Sequence, residues 1–231
     1  MGQTVCLVEG VYDDAYNKAL QLKDEKGYTF IHPFDDEDVI AGQGTIGLEL
    51  LEQLPEVEAV IIPIGGGGLI SGVAYAIKNL NPNIRVYGVQ AKGAPSMLNS
   101  IEHGKIERLK GVRTIADGIA VKEPGIHTFD LCQQYVDEIV SVTDDEISTA
   151  ILALIEQHKL IAEGAGAVAV AAAMFNKVPI KGKKSNLFDF RRKYRREYPF
   201  PGNRTWFAEI RPLLFHDDRI GRQTRTTTAR I

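Results

Sequence analysis

Four consecutive glycines, Gly65 to Gly68, are the residues whose type and spacing most directly indicate chemistry in this chain. They follow the apolar run EAVIIPI and precede LISGVAYAIKNL, which has the apolar spacing of a helix. The first N–H groups of a helix lack partners and the helix dipole adds partial positive charge, so this position favours an anion such as phosphate. Glycine lets the backbone approach that anion closely. A plain tight turn between strand and helix is the alternative interpretation.

The residues that follow the glycines argue against two familiar phosphate sites. A P-loop needs Lys and then Ser or Thr after its last glycine, but Gly72 is followed by two apolar residues. The dinucleotide fingerprint G-x-G-x-x-G fails because Ile70 or Ser71 stands where its third glycine belongs, and Gln90 stands where a ribose-binding acid would lie. The ligands that remain carry a single phosphate monoester: a sugar phosphate, a mononucleotide or pyridoxal phosphate.

The elements that must position the glycines alternate between strand and helix. EAVIIPI is a short, continuously apolar strand, and IRVYGVQ is the next strand after the glycine-led helix. TDDEISTAILALIEQHKL predicts a helix that begins with Thr143 and Glu146 in capping-box spacing. This order predicts an α/β fold with a parallel sheet covered by helices on both faces. In such sheets ligands bind beyond the carboxyl ends of the strands, where the glycines lie.

The N-terminal part of the sequence predicts a strand, a helix and a strand. TVCLV and YTFI have β-like composition. Between them, YDDAYNKALQLKDEKG has apolar residues at helical spacing, with Gly27 as the C-terminal stop.

The charge of the chain changes abruptly after Lys184. Residues 1–184 carry 16 Lys and Arg against 25 Asp and Glu, a balance of −9, whereas residues 185–231 carry 11 against 5, a balance of +6. Such a break marks a different module, a basic arm or sequence of another origin. An arginine-rich arm with interleaved aromatic residues could bind nucleic acid. Because no helical period or RNA-binding signature accompanies the arginines, we expect no nucleic-acid partner.

The remaining composition argues against metal and membrane sites. Cys6 and Cys132 are the two cysteines, and neither they nor the five histidines have metal-ligand spacing. No apolar stretch approaches the roughly 20 residues that cross a bilayer. We therefore expect a cytoplasmic protein with no metal and no membrane partner.

Six blocks of the sequence, in order and at natural distances, resemble those of threonine dehydratase (threonine ammonia-lyase). They are HPFDDEDVIAGQGTIGLELLEQL, VIIPIGGGGLISGVAYAIK, RVYGVQ, TIADGIAVKEPG, VDEIVSVTDDEI and IAEGAGAVAVAA. The resemblance covers Met1 to about Lys184. It implies the fold-type II pyridoxal-phosphate (tryptophan synthase β-like) fold, with residues 1–31 as a remnant of the small domain and residues 32–184 as the large cofactor-binding domain.

The resemblance also implies an activity: deamination of L-threonine or L-serine to 2-oxobutanoate or pyruvate and ammonia, with pyridoxal 5'-phosphate as cofactor. The intact enzyme would be a homo-oligomer. A serine racemase-like or other β-eliminating pyridoxal-phosphate enzyme is one alternative. A non-catalytic phosphate-binding or interaction module is the other.

Residue roles follow from the resemblance position by position. Gly118 and Glu163 would lie beside the cofactor ring, although a helix N-terminal acid is another interpretation of Glu163. The cofactor phosphate loop would consist of Gly65, Gly66, Gly67, Gly68 and Leu69.

Two motifs that the resemblance leads one to expect are missing. The family lysine that binds the cofactor covalently lies in an S-F-K-x-R-G-A block, which does not occur in this sequence. The G-N-H-A-Q-G loop that follows it in the family is also missing. We therefore expect a fragment that lacks its catalytic lysine and is inactive alone.

After IKGKK the family continues with a strand and an S-G-G-N motif, but this chain continues with SNLFDFRRKYRR. Codons for residues 189–196, read one nucleotide later, can encode Ile-Ser-Gly-Gly-Asn-Ile-Asp-Val. We therefore hypothesise that residues 185–231 are translated out of frame, and we predict that this arginine-rich tail is disordered.

Overall fold

The computed structural model of the chain describes residues 5–9 and 12–180, together with the backbone of residues 185–187 and 213–215. Its helices are α1 (Tyr12–Lys26), α2 (Glu37–Gln53), α3 (Gly68–Leu80), α4 (Ser96–His103), α5 (Ile126–Tyr135), α6 (Asp144–His158) and α7 (Gly164–Met174). A 3-10 turn spans Asp117–Ile119. The strands are β1 (Ala59–Pro63), β2 (Arg85–Ala91), β3 (Glu138–Val142), β4 (Ser185–Leu187) and β5 (Leu213–Phe215).

Strand β1 lies in the middle of a five-stranded sheet with the order β3-β2-β1-β4-β5. It pairs in parallel with β2, where Ala59 lies opposite Arg85, and in parallel with β4. Strand β3 is parallel to β2, and β5 is antiparallel to β4. The predicted parallel sheet is confirmed, and the carboxyl ends of β1, β2 and β3 meet at one edge.

Both faces of β1 are buried, which explains its uninterrupted apolar sequence. Successive side chains of a strand point to opposite faces. Ala59 and Ile61 join one core cluster with residues of α6 and α7. Val60 and Ile62 join a second cluster with residues of α3. The prediction of helices on both faces of the sheet is therefore confirmed.

Helix α3, which begins at the glycines, is held against α2 by close contact between glycines. A Cβ added at Gly44 would lie 3.2 Å from the carbonyl oxygen of Gly72. A Cβ added at Gly72 would overlap the carbonyl oxygen of Ile40 and lie 2.7 Å from the Gly44 nitrogen. The missing side chains let the two helices approach closely, so α2 fixes the position of α3.

The helix ends follow the sequence signals. At the start of α6, Glu146 N donates to Thr143 Oγ1 at 3.3 Å and Thr143 N donates to Glu146 Oε2 at 2.8 Å, which confirms the predicted capping box. Helix α1 ends at Lys26, and Gly27 follows with a φ of 69°. Among the described helices, none is long and apolar enough to cross a membrane.

The two N-terminal strands are wrong predictions. In the described part of the chain, residues 5–8 and 28–31 form no strand. Leu7 is 91% exposed and Ile31 is 68% exposed, so the apolar residues of these segments pack on no sheet. Composition can favour a strand, but a strand also needs a neighbour for its hydrogen bonds.

Strands β4 and β5 lie in the predicted arginine-rich tail. Ser185 pairs with Ala59 and Leu187 with Ile61, so β4 extends the sheet beside β1. The other tail residues lie outside the described residues, and their predicted disorder stays a prediction.

Candidate functional site

The predicted glycine loop lies between the carboxyl end of β1 and the first turn of α3. Gly67 is the N-cap of α3 and has a φ of 104°, in the left-handed region that favours glycine. As a glycine, Gly67 contributes no side-chain capping hydrogen bond to the helix. The structure thus places the loop where parallel α/β sheets bind ligands.

Close packing explains why the loop consists of glycines. A Cβ at Gly66 would lie 2.5 Å from ring atoms of Phe34, and one at Gly68 would lie 2.8 Å from the Phe34 carbonyl oxygen. A Cβ at Gly67 would lie 2.8 Å from Cβ of Thr128. Any side chain at these three positions would displace the segment around Phe34 or the start of α5.

The loop presents backbone donors that no described residue uses. Gly66, Gly67 and Gly68 are buried. Within the described ranges, no hydrogen bond involves the N–H groups from Gly65 to Leu69. More than about 90% of buried backbone N–H groups in proteins are paired. A set of buried, unpaired donors at a helix N-terminus fits a phosphate group, which accepts several hydrogen bonds and carries negative charge.

The carbonyl groups of the loop, by contrast, bond within the protein. Thr128 Oγ1 donates to the Gly66 carbonyl oxygen at 2.7 Å. Ser71 N donates to the Gly67 carbonyl oxygen at 2.9 Å. The negative ends of these peptide dipoles are therefore occupied, while the positive ends remain available to an anion.

Asp35 connects the start of α5 to the segment before α2. Its Oδ2 accepts from Ile126 N at 2.9 Å and its Oδ1 from Thr128 N at 3.1 Å. Asp35 thus caps α5, although it lies 91 and 93 residues earlier in the chain. Sequence patterns do not reveal this role of Asp35, because a cap supplied from so far away leaves no local pattern.

Gly118 and Glu163, predicted beside the cofactor ring, are neighbours in the structure. A Cβ added at Gly118 would lie 3.2 Å from Glu163 Oε1. Glu163 is the N-cap of α7, and its side chain makes no capping hydrogen bond there. A Cβ added at Gly65 would lie 3.1 Å from Cα of Ile119, so the same turn also adjoins the glycine loop. These predicted positions therefore meet at one edge of the sheet.

Gln90, at the end of β2, has an internal role. It is fully buried, its Nε2 donates to the Ile64 carbonyl oxygen at 3.3 Å, and its Oε1 accepts from Leu98 N at 2.8 Å. Gln90 thus ties the end of β1 to α4. Among the described residues, no group of three or more His, Cys, Asp and Glu side chains could hold a metal ion.

His32 orients the segment that packs on the loop. Its Nδ1 accepts from Asp35 N at 2.9 Å and Phe34 N at 3.3 Å, so this nitrogen carries no proton. The His32 and Phe34 rings lie edge to face with centroids 4.6 Å apart. Burial lowers the pKa of His32, and the nearby Asp35 and Asp36 raise it less, so the pKa lies below its ordinary value.

Comparison with known proteins agrees with this geometry. Residues 1–188 match the family of pyridoxal-phosphate dependent enzymes. The chain is 55% identical over 184 residues to L-threonine ammonia-lyase of Thermotoga maritima, covering 80% of the chain and 46% of that relative. It is 47% identical over 167 residues to catabolic L-threonine dehydratase of Escherichia coli strain K12, covering 72% of the chain and 51% of the relative. The chain thus spans about half the length of these curated relatives.

Solved structures give the same result. The processed form of threonine deaminase isoform 2 from Solanum lycopersicum is 42% identical with a TM-score of 0.74, and the match covers 80% of this chain and 54% of that one. Maize serine racemase is 37% identical with a TM-score of 0.72, covering 77% of this chain and 55% of that one. The predicted resemblance, the fold class and the family's cofactor are confirmed. The chain belongs to the pyridoxal-phosphate-dependent enzyme family.

Proposed function

We propose that this chain carries the cofactor-phosphate site of a threonine ammonia-lyase, which converts L-threonine to 2-oxobutanoate and ammonia. The observation that carries the proposal is the loop from Gly65 to Leu69, whose N–H groups bond to no described residue and whose central residues Gly66, Gly67 and Gly68 are buried. The identity of 55% over 184 residues to a named L-threonine ammonia-lyase supports the choice of substrate. L-Serine, with the same β-hydroxyl group, is the second substrate of this proposal.

The chain's own residues would act by holding and orienting the cofactor. The loop N–H groups and the α3 dipole would stabilise the phosphate without any lysine. Gly118 and Glu163 would flank the ring, since their turn adjoins Gly65. When bound, pyridoxal phosphate supplies an electron sink for the charge left as the substrate loses its α-proton.

We further propose that residues 1–31 belong to a small domain and residues 32–184 to the cofactor-binding domain. The S-F-K-x-R-G-A block does not occur among the 231 residues, and the match to the Thermotoga maritima relative covers 46% of that protein. In this proposal the chain alone does not complete the reaction. Formation of 2-oxobutanoate from L-threonine by the purified chain with added pyridoxal phosphate would contradict it.

Residues 185–231 are, in this proposal, an out-of-frame translation. The family match ends at residue 188 and the charge balance changes sign after residue 184. Sequencing the source DNA around codons 181 to 186 tests the idea. A second frame that encodes S-G-G-N is expected, and its absence would refute the hypothesis.

Phosphate binding by the loop can be tested on the whole chain by equilibrium dialysis. Pyridoxine 5'-phosphate and pyridoxine are suitable probes, because they lack the aldehyde that reacts with surface lysines and differ by the phosphate alone. We expect the chain to prefer the phosphorylated probe. The variant Gly67→Ala should lose this preference, since an added Cβ would lie 2.8 Å from Thr128 Cβ at a φ of 104°.

Gly104→Ala is the matched control for that variant. Gly104 also has a positive φ, of 67°, but a Cβ there would meet nothing within 4 Å. It caps the end of α4, outside the glycine loop. The control should keep the preference for the phosphorylated probe. Equal binding of both probes by the unmodified chain would contradict the proposed site.

A serine racemase-like activity is the second candidate, favoured by the 37% identity to maize serine racemase. The two candidates predict different products once the lysine block is restored by fusing it in frame. A lyase forms 2-oxobutanoate from L-threonine, whereas a racemase forms D-serine from L-serine. D-serine as the main product would favour the second candidate.

A further inference from the structure

Thr128 is a buried polar residue whose hydroxyl bonds to the glycine loop. Its exposed fraction is 0%, and its Oγ1 donates to the Gly66 carbonyl oxygen at 2.7 Å. The two residues are 62 positions apart, so this bond joins the start of α5 to the loop. A buried hydroxyl without a hydrogen-bond partner destabilises the folded state, and Thr128 avoids this cost by bonding to one carbonyl of the loop.

Fixing the Gly66 carbonyl also fixes the Gly67 N–H. The peptide bond is planar and trans, so this N–H points opposite to the preceding carbonyl. A flip of the peptide would place a carbonyl oxygen where the loop presents a donor, and would repel phosphate. Because Gly67 has no Cβ, its own backbone offers little resistance to such a flip. That resistance comes mainly from the Thr128 hydroxyl at 2.7 Å, since the other donor to the same carbonyl oxygen among the described residues, Gly125 N, lies at 3.5 Å.

Asp35 and Ser71 hold Thr128 from two further sides. Asp35 Oδ1 accepts from Thr128 N at 3.1 Å, and Ser71 Oγ donates to the Thr128 carbonyl oxygen at 3.3 Å. Ser71 N in turn donates to the Gly67 carbonyl oxygen at 2.9 Å. The carbonyls of both Gly66 and Gly67 are thus held by one connected network.

We propose that Thr128 and Asp35 are positioning residues that keep the peptide between Gly66 and Gly67 oriented with the Gly67 N–H toward the cofactor phosphate. This inference rests on the proposed phosphate site. Neither side chain contacts the phosphate. Thr128 acts through the Gly66 carbonyl, and Asp35 acts through Thr128.

The test compares Thr128→Val with Thr128→Ser in the whole chain. Valine keeps the shape and loses the hydroxyl, whereas serine keeps the hydroxyl. Dissociation constants for pyridoxine 5'-phosphate and pyridoxine are measured by equilibrium dialysis. We expect valine to weaken binding of the phosphorylated probe about tenfold and to leave pyridoxine binding unchanged. Serine should restore affinity to within about threefold.

Asp35→Asn provides a second variant if the valine variant does not fold. It retains one acceptor oxygen for the α5 N–H groups and loses the other, so we expect an affinity loss of about threefold for the phosphorylated probe alone.

Three results separate this inference from the site on which it rests. A Thr128→Val chain with unchanged affinity for the phosphorylated probe would overturn the positioning role while leaving the proposed site intact. An equal loss of affinity for both probes would also overturn the positioning role, since that would indicate general structural damage. If the unmodified chain does not distinguish the two probes, the phosphate site itself fails and the inference fails with it.

Discussion

At the scale of single residues, the loop separates hydrogen-bond donors from acceptors. The Gly66 and Gly67 carbonyls bond to Thr128 and Ser71, while the N–H groups of the same segment bond to none of the described residues. This separation would suit an anion without any positively charged side chain. Glycine is needed because the neighbouring Phe34 and Thr128 occupy the space of a Cβ.

His32 leads to a prediction on pH. Its Nδ1 accepts two backbone N–H groups, and burial lowers its pKa below the ordinary 6.5. The folded protein therefore resists protonation of this ring. Its contribution to stability is present above the unfolded pKa and is lost as pH falls below it. Urea unfolding between about pH 7.5 and about pH 5.5 should show this loss.

The variant His32→Asn is the comparison for that measurement. An asparagine oxygen can accept the same backbone N–H groups but does not titrate. The pH dependence of the unfolding free energy should be smaller in the variant. The same slope in both proteins would show that His32 does not contribute.

The position of the glycine loop could be predicted from sequence, but the residues that hold the loop in place could not. A continuous apolar run, a glycine cluster and a helical pattern locate the loop at the end of β1. Thr128 and Asp35 act across 62 and more than 90 residues, so no local pattern reveals them. In the sequence, Gln90 is informative only because it stands where a dinucleotide site would have a ribose-binding acid. Its hydrogen bonds to Ile64 and Leu98 depend on the folded sheet and leave no sequence pattern.

At the scale of elements, the contact between α2 and α3 determines where the loop lies. We predict that Gly72→Ala destabilises the protein by about 1–3 kcal/mol, because its Cβ would overlap the Ile40 carbonyl oxygen and push the helices apart. Chemical denaturation gives the free energy of unfolding. The displacement of α3 from α2 should also weaken binding of the phosphorylated probe.

Gly42→Ala in α2 is the matched control for Gly72→Ala. A Cβ at Gly42 would meet nothing within 4 Å. Alanine favours a helix over glycine by about 0.5–1 kcal/mol, so this variant should be slightly more stable. Equal changes in the free energy of unfolding for the two substitutions would contradict the claim that close contact between α2 and α3 stabilises the fold.

Sequence patterns predicted some helices and strands correctly and failed for others. β1 and the capped end of α6 were predicted because burial and capping leave local signals. The strands expected at TVCLV and YTFI were wrong because a strand depends on a partner that the segment itself does not specify.

At the scale of the whole molecule, apolar side chains remain exposed in several parts of the described chain. Leu7 is 91% exposed, Ile161 82% and Val5 76%. Apolar side chains that lie together at the surface favour association, and Val5 and Leu7 lie two residues apart in one exposed segment. We predict that the purified chain self-associates with rising concentration, as measured by sedimentation velocity. A single monomeric species over the whole concentration range would contradict this prediction.

The most direct test of the phosphate site is to record amide chemical shifts of the glycine loop by nuclear magnetic resonance while pyridoxine 5'-phosphate is added. We expect saturable shifts of the Gly66 to Leu69 amide signals, and none with pyridoxine. Loop signals that stay unchanged at saturating probe, while other regions shift, would contradict the claim that these N–H groups bind the cofactor phosphate.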